Sequence, residues 1–213
     1  MRALKKALVL VVVLGVLGYF FVRSLQSTRS EPYPVQAGHL RGWILAIEAP
    51  GSPSGAALVL RPPAALPPTL FKQIFERAME SLAAPGSPGM PLVLAHEFQH
   101  SLAGRVTGER LLEMARDAGL EREPLEAQCL AHRRVSDPGV TRFAYAAAFR
   151  SPAYDRFRNA VAALAREVSG GGDTFDPAAQ SPVLLIGASD AAFAAWLPWR
   201  VTESDCLAPL VAE

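Results

Sequence analysis

Cysteine, net charge and the common catalytic signatures are what this 213-residue sequence has little of. Its formal net charge is +1, and no cluster of Lys and Arg is interleaved with aromatic residues. A protein that binds the nucleic-acid backbone normally has a basic face, so we expect no nucleic-acid partner. The sequence also contains no serine nucleophile elbow, no phosphate-binding glycine loop and no dinucleotide fingerprint. What remains is a chain that is half apolar, enough to bury one good core.

The two cysteines, Cys129 and Cys206, do not form a CxxC motif, which argues against a redox site or a cysteine zinc site. In an oxidising compartment a lone pair of cysteines most simply forms a disulfide. We therefore predict a Cys129–Cys206 disulfide, with two buried free thiols as the alternative. Closing so long a loop would stabilise the fold by ~4–5 kcal/mol on the chain-entropy model.

The N-terminal segment has the pattern of a membrane anchor. Three basic residues, Arg2, Lys5 and Lys6, precede an uncharged apolar run over 7–22, and Arg23 closes it. As a helix this run would rise roughly 24 Å, and snorkelling side chains would cover the rest of a ~30 Å hydrocarbon core. Bulky aromatic residues stand where a signal peptidase needs small ones. This favours an uncleaved signal anchor over the alternative, a cleaved signal peptide.

The anchor sets the predicted localisation and the division of the chain. Basic residues before the helix place the N-terminus in the cytoplasm. We expect a single-pass protein of a bacterial-type inner membrane, which contacts the lipid bilayer through its N-terminal helix and has a periplasmic C-terminal domain. The predicted segments are a basic stub with the anchor over 1–24, a tether over 25–38 and one extracytoplasmic domain over 39–213.

Hydrophobic periodicity within the domain predicts more helix than strand. The predicted fold class is α+β, with the N-terminal transmembrane helix followed by one helix-rich domain that has a small sheet packed on one side. The main predicted helices cover 70–82, 92–103, 108–118, 123–135 and 152–168, and the predicted strands cover 40–49, 56–63 and 181–188.

The stretch VLAHEFQHSLAG, residues 93–104, carries the clearest chemical motif. Residues four apart lie on one face of an α-helix, so His96 and His100 could both direct a ring nitrogen at one Zn²⁺. Glu97 would then lie beside the metal-bound water and act as its general base. With its apolar flanks, this stretch resembles the active-site helix of the zincin metallopeptidases.

The resemblance is closest to the gluzincin branch, which takes its third zinc ligand from a glutamate on a second helix. Glu126, followed by Ala127, is similar to the start of that second motif, and Glu123 is the rival ligand. The Asp or Asn that usually follows is missing, and the longer metzincin signature is absent. The likeness covers roughly residues 70–135.

Two functions follow as hypotheses. The resemblance implies a membrane-anchored, zinc-dependent metallopeptidase of peptide or protein substrates. In it His96, His100 and Glu126 would hold Zn²⁺, and Glu97 would activate the water. The alternative is a non-catalytic, envelope-associated binding or scaffold domain on the same anchor. Geometry separates them, because the enzyme needs both histidines to line a cleft with Glu126 within ligand reach.

Overall fold

The computed structural model describes residues 13–19, 30–169 and 175–213. By its internal contacts the chain divides into two units, Met1–Glu31 and Pro32–Glu213. In the described part of the first unit, residues 13–19 are helical.

The predicted membrane anchor is not found among the described residues. Across 13–19, 30–169 and 175–213, no helix combines the length and the apolar character that a membrane span requires. For the described residues, the predicted N-terminal transmembrane helix and the single-pass inner-membrane localisation that depends on it are therefore not borne out. Residues 1–12 and 20–24 of the predicted anchor segment lie outside the described residues.

The second unit is built around two β-sheets. Strands β1, β8, β5, β6 and β7 form a five-stranded sheet in that order, and β2, β3 and β4 form a three-stranded sheet. Neighbouring strands are antiparallel except β1 and β8, which are parallel. The strand bounds are β1 Tyr33–Val35, β2 Ile44–Ile47, β3 Ala56–Arg61, β4 Met90–Leu94, β5 Glu126–Asp137, β6 Val140–Arg150, β7 Val183–Ala188 and β8 Cys206–Ala212.

Helices and turns connect and cover these sheets. The helices of the second unit are α1 Leu66–Ala78, α2 Ala95–Glu97, α3 Gly108–Asp117 and α4 Pro152–Ser169. A π-helical turn, Phe98–Leu102, follows α2 directly. Shorter 3-10 turns cover Ala37–Leu40, Phe193–Trp196 and Glu203–Asp205.

The predicted helix-rich fold class is wrong, because the middle of the chain forms a long hairpin. Residues 126–137, most of which were predicted as a helix, are β5, and they pair with β6. Leu130 packs in the main core, whereas Cys129 and Ala131 pack in a second core on the other face of the sheet. Because both faces are buried over 129–131, apolar residues follow one another there without the alternation that marks a half-exposed strand.

In its buried part, strand β6 directs its aromatic side chains to one core and only alanines to the other. Tyr145 and Phe149 point to the main core, which contains α1, α3 and α4. Ala144, Ala146 and Ala148 point to the second core, which Trp196 and Trp199 cover. Small side chains on this face let the segment that carries the two tryptophans pack closely against the sheet.

Several sequence predictions are confirmed. Thr107 caps α3, since its side-chain oxygen accepts a hydrogen bond from the Arg110 N–H at 3.2 Å. Helix α4 begins at Pro152, as predicted, and β3 and β7 lie within their predicted strands. Helix α1 begins earlier than expected, at Leu66, so that its two prolines fall in the first turn, where a backbone N–H has no helical partner to lose.

The predicted Cys129–Cys206 disulfide is present. Cys129 lies in β5 and Cys206 begins β8, the next strand in the sheet. The bond closes a loop with a sequence separation of 77 and fixes β8 beside β5. Strand β8 in turn pairs with β1, which lies in the segment predicted as a tether and belongs to the second unit.

Candidate functional site

The HEFQH motif begins where a buried strand ends. Every residue of β4 is buried up to Leu94, and α2 then starts at Ala95. The predicted helix over 92–103 is therefore wrong over 92–94. A continuous apolar run has no period that distinguishes a fully buried strand from a buried helix.

Glu97 points into the core, where Arg158 of α4 binds it. Arg158 Nη2 donates to Glu97 Oε1 at 2.8 Å, and Arg158 Nη1 donates to Glu97 Oε2 at 2.9 Å. The backbone N–H of Leu94 donates to the same Oε2 at 2.8 Å. The Arg158 and Glu97 side chains are 1% and 8% exposed. Both carboxylate oxygens thus accept charge-assisted hydrogen bonds in the bidentate geometry that makes such pairs strong.

The Arg158 guanidinium has further partners in the core. It donates to the backbone oxygens of Leu92 at 3.2 Å, Asp176 at 2.6 Å and Pro177 at 3.2 Å. It also lies over the Phe175 ring, 4.2 Å from the centroid. These acceptors compensate the Arg158 cation for the hydration that it loses on burial, so Arg158 has a structural role in the core.

Arg158 is not among the site residues predicted from the sequence, although its position in α4 indicates a buried charge. Helix α4 buries an apolar stripe that includes Tyr154, Phe157 and Val161. Arg158 follows Tyr154 by four residues and precedes Val161 by three, so it lies on the same side of the helix. A charge within a buried stripe requires a buried partner, and Glu97 fills that role.

The two histidines of the motif are exposed. A ring nitrogen of His100, Nδ1, donates to the backbone oxygen of His96 at 2.8 Å. The imidazoles therefore lie at the surface, whereas the carboxylate between them in sequence is buried. A general base must reach the water that it deprotonates, and the Glu97 oxygens are already bound to Arg158.

The predicted third ligands do not complete a metal site. Glu126 is exposed at the start of β5, and Glu123 forms a surface ion pair with Arg156. Within the described ranges, no group of three or more His, Cys, Asp or Glu residues is placed to hold a metal ion. Among the described residues the two motif histidines and Glu126 are thus not brought together as metal ligands, and the zinc cofactor stays a prediction. The physical reason is that residues 126–137 form a strand, not the second ligand-bearing helix.

A cavity of about 270 Å³ adjoins the π-helical turn. In that turn the Ala103 N–H donates to the Phe98 oxygen, five residues earlier, at 2.7 Å. Such turns are rare and occur frequently at functional sites. The cavity walls are mainly apolar and include Ile47, Pro50, Ala56, Phe98, Ala103 and Leu111.

The polar groups of this cavity are few. The Glu48 carboxylate in its wall accepts from Arg61 Nη2 at 2.8 Å through Oε1, and from Ser52 Oγ at 2.8 Å through Oε2. Gln99, which also lines the cavity, is exposed. Because Arg61 neutralises the carboxylate, the cavity offers an apolar surface with no uncompensated charge.

Comparison with known proteins identifies no relative. No protein-family model, curated protein or solved structure matches the chain. Any functional conclusion therefore depends on the geometry of the site itself.

Proposed function

We propose that the second unit is a non-catalytic binding domain, which accepts an apolar side chain of a protein partner in the cavity beside the π-helical turn. The observation that carries this proposal is the burial of Glu97 against Arg158. The residue that a zincin would use as its general base here neutralises a cation in the core. Glu97 is therefore not free to act on a water bound at the motif histidines.

The cavity supports an apolar ligand group. Its walls are aliphatic and aromatic, and the Glu48 carboxylate is already paired with Arg61. A charged ligand group would lose hydration and gain no partner there, whereas an apolar group gains by leaving water. The exposed amide of Gln99 can hydrogen-bond to the backbone that carries such a group.

The size of the cavity limits the ligand. Sites for drug-sized molecules usually occupy about 300–1,000 Å³. At about 270 Å³ this cavity lies just below that range, which favours a small apolar group over a drug-sized molecule. The expected ligand is therefore one apolar anchor of a partner protein, with the remaining contacts on the surface around it.

Amide chemical shifts of the purified protein, titrated with N-acetyl-leucinamide and N-acetyl-phenylalaninamide, test this site. We expect saturable shifts at Phe98, Gln99 and Ala103, and none with N-acetyl-aspartamide. Ala103→Phe should fill the cavity mouth and abolish them. The matched control is Ala178→Phe, at an exposed position outside the cavity lining, which should bind as the wild type does. Shifts that persist in Ala103→Phe would refute the site.

A second assay tests the absence of catalysis. The wild type and a His96→Ala/His100→Ala variant are supplied with Zn²⁺ and incubated with a mixed peptide library. We expect no cleavage above the buffer control for either protein. Because both histidines are exposed, the variant should remain folded. Cleavage by the wild type that is lost in the variant would overturn the proposal and restore the metallopeptidase hypothesis.

A further inference from the structure

Helix α1 has a second apolar row beside the one that it buries. Leu66, Leu70, Ile74 and Ala78 are buried in the main core. Phe71 and Phe75, with Met79 just after the helix, are four residues apart and thus follow one side of it. Phe75 is 51% exposed and Met79 is 79% exposed. The row continues towards the N-terminal end of α1 with Pro68, which is exposed.

A cavity of about 500 Å³ lies at the N-terminal end of this row. Helix α1 contributes Pro67, Pro68 and Phe71 to its walls, and the segment over 84–88 contributes another wall. Phe71 stacks on Phe75, with ring centroids 6.3 Å apart and planes inclined by 13°. The row therefore leads from a cavity beside the half-buried Phe71 to the exposed side chain of Met79.

Two opposite charges flank the row on one side. Lys72 Nζ and Glu76 Oε1 lie 3.9 Å apart, and both side chains are exposed. The order of charges is self-complementary: an antiparallel copy of α1 would place Glu76 of the partner subunit level with Lys72, and the reverse. In such a dimer, the Lys72–Glu76 pair within each copy is replaced by a Lys72–Glu76 pair between the copies, so every charge keeps an opposite partner.

We infer that a second copy of the chain packs on this face, with the two α1 helices antiparallel about a twofold axis near Ile74. The register that pairs Lys72 with Glu76 of the partner subunit also places Met79 level with Thr69 of the partner subunit. That level lies between Pro68 and Phe71, which line the cavity. Each Met79 thus inserts into the 500 Å³ cavity of the other copy, and the two Phe75 rings meet near the axis.

Two independent features require the same register, and this agreement is what selects a second copy as the occupant. The charges of Lys72 and Glu76 determine a register, and the exposed Met79 with its cavity determines the same register independently. Methionine is flexible enough to fill an irregular cavity. A closed twofold pair also buries the same patch on both copies, so no apolar row is left to propagate assembly. The inference is independent of the proposed ligand cavity beside the π-helical turn.

Sedimentation equilibrium of the full chain over a concentration series tests the pairing. The wild type should change from the 22.8 kDa chain to twice that mass as the concentration rises. Phe75→Glu should raise the dimer dissociation constant by at least about tenfold. The matched control is Val140→Glu, an exposed apolar residue outside this face, which should dimerise as the wild type does. A wild type that stays monomeric up to about 1 mM would overturn the inference.

Charge exchange tests the register. Lys72→Glu and Glu76→Lys should each weaken the dimer by roughly tenfold, because each places like charges opposite one another twice. The double variant restores opposite charges and should recover the wild-type constant to within about threefold. A dimer that ignores the single reversals, or a double variant weaker than either single one, would exclude this arrangement.

Discussion

Helix α4 carries two arginines, two residues apart, that each bind a glutamate in a different environment. Arg158 and Glu97 are 1% and 8% exposed, and form two hydrogen bonds of 2.8 and 2.9 Å. Arg156 and Glu123 are 51% and 43% exposed, and Arg156 also donates to the backbone oxygen of Ala118 at 2.9 Å. The charged groups are the same, but the access of water and the number of hydrogen bonds differ.

Glu97 is therefore a structural carboxylate, whereas Glu123 is one that the fold does not need. Ion pairs at the surface contribute about 0–1 kcal/mol, because water and salt screen them. Removal of one member of a buried pair leaves an uncompensated charge away from water, which costs about 3–5 kcal/mol. The glutamate of the protease-like motif, Glu97, thus has a structural role in the core, because it is the partner of Arg158.

The largest effect is expected from Glu97→Ala. It should lower the free energy of unfolding by about 3–5 kcal/mol, since the Arg158 guanidinium would remain buried without its carboxylate. The matched control, Glu123→Ala, removes the surface partner of Arg156 and should cost at most about 1 kcal/mol. Urea unfolding at one pH and salt concentration measures both. Equal losses for the two variants would contradict the comparison.

A second expected effect concerns Tyr154, which lies on the same buried side of α4. Burial raises the pKa of Tyr154 above its usual 10.0, while the positive charge of Arg158 opposes the shift. Because the folded pKa exceeds the unfolded one, the phenol stabilises the fold fully below about pH 10. This contribution is lost as the pH rises through the folded pKa, by up to about 1.4 kcal/mol per pH unit.

Unfolding free energies of the wild type and Tyr154→Phe between pH 8 and 11 check this effect, with the range chosen about the usual pKa of 10.0. The variant lacks the titrating phenol, so its stability should fall less steeply in the alkaline range. Parallel curves for the two proteins would show that Tyr154 does not titrate differently in the folded and unfolded chains.

Part of this fold could be predicted from local patterns. Helices α3 and α4 each have a polar and a buried side, and each begins at a recognisable residue, Thr107 or Pro152. Strand β7 is a short, mainly apolar segment that is bounded by turns. The hairpin of β5 and β6 could not be predicted in this way, because both faces are buried over 129–131 of β5 and over 144–149 of β6. Without alternation, alanine-rich stretches fit a helix as well as a strand.

The candidate site required contacts that sequence spacing does not encode. Spacing places His96 and His100 on one side of a helix only if the helix exists, and here α2 and a π-helical turn replace it. The role of Glu97 depends on Arg158, 61 residues further along the chain. The disulfide could be predicted because only one pairing of Cys129 and Cys206 exists.

The smallest effect is expected from His96→Ala/His100→Ala, at the exposed end of the motif. Both imidazoles lie in solvent, and the contact that the variant loses is the hydrogen bond from His100 to the His96 backbone. We expect the free energy of unfolding to change by no more than about 0.5 kcal/mol. Glu97→Ala, measured in the same series, should cost several times more. If the histidine variant lost more stability than Glu97→Ala, the imidazoles would make stabilising contacts that matter more than the buried Arg158–Glu97 pair.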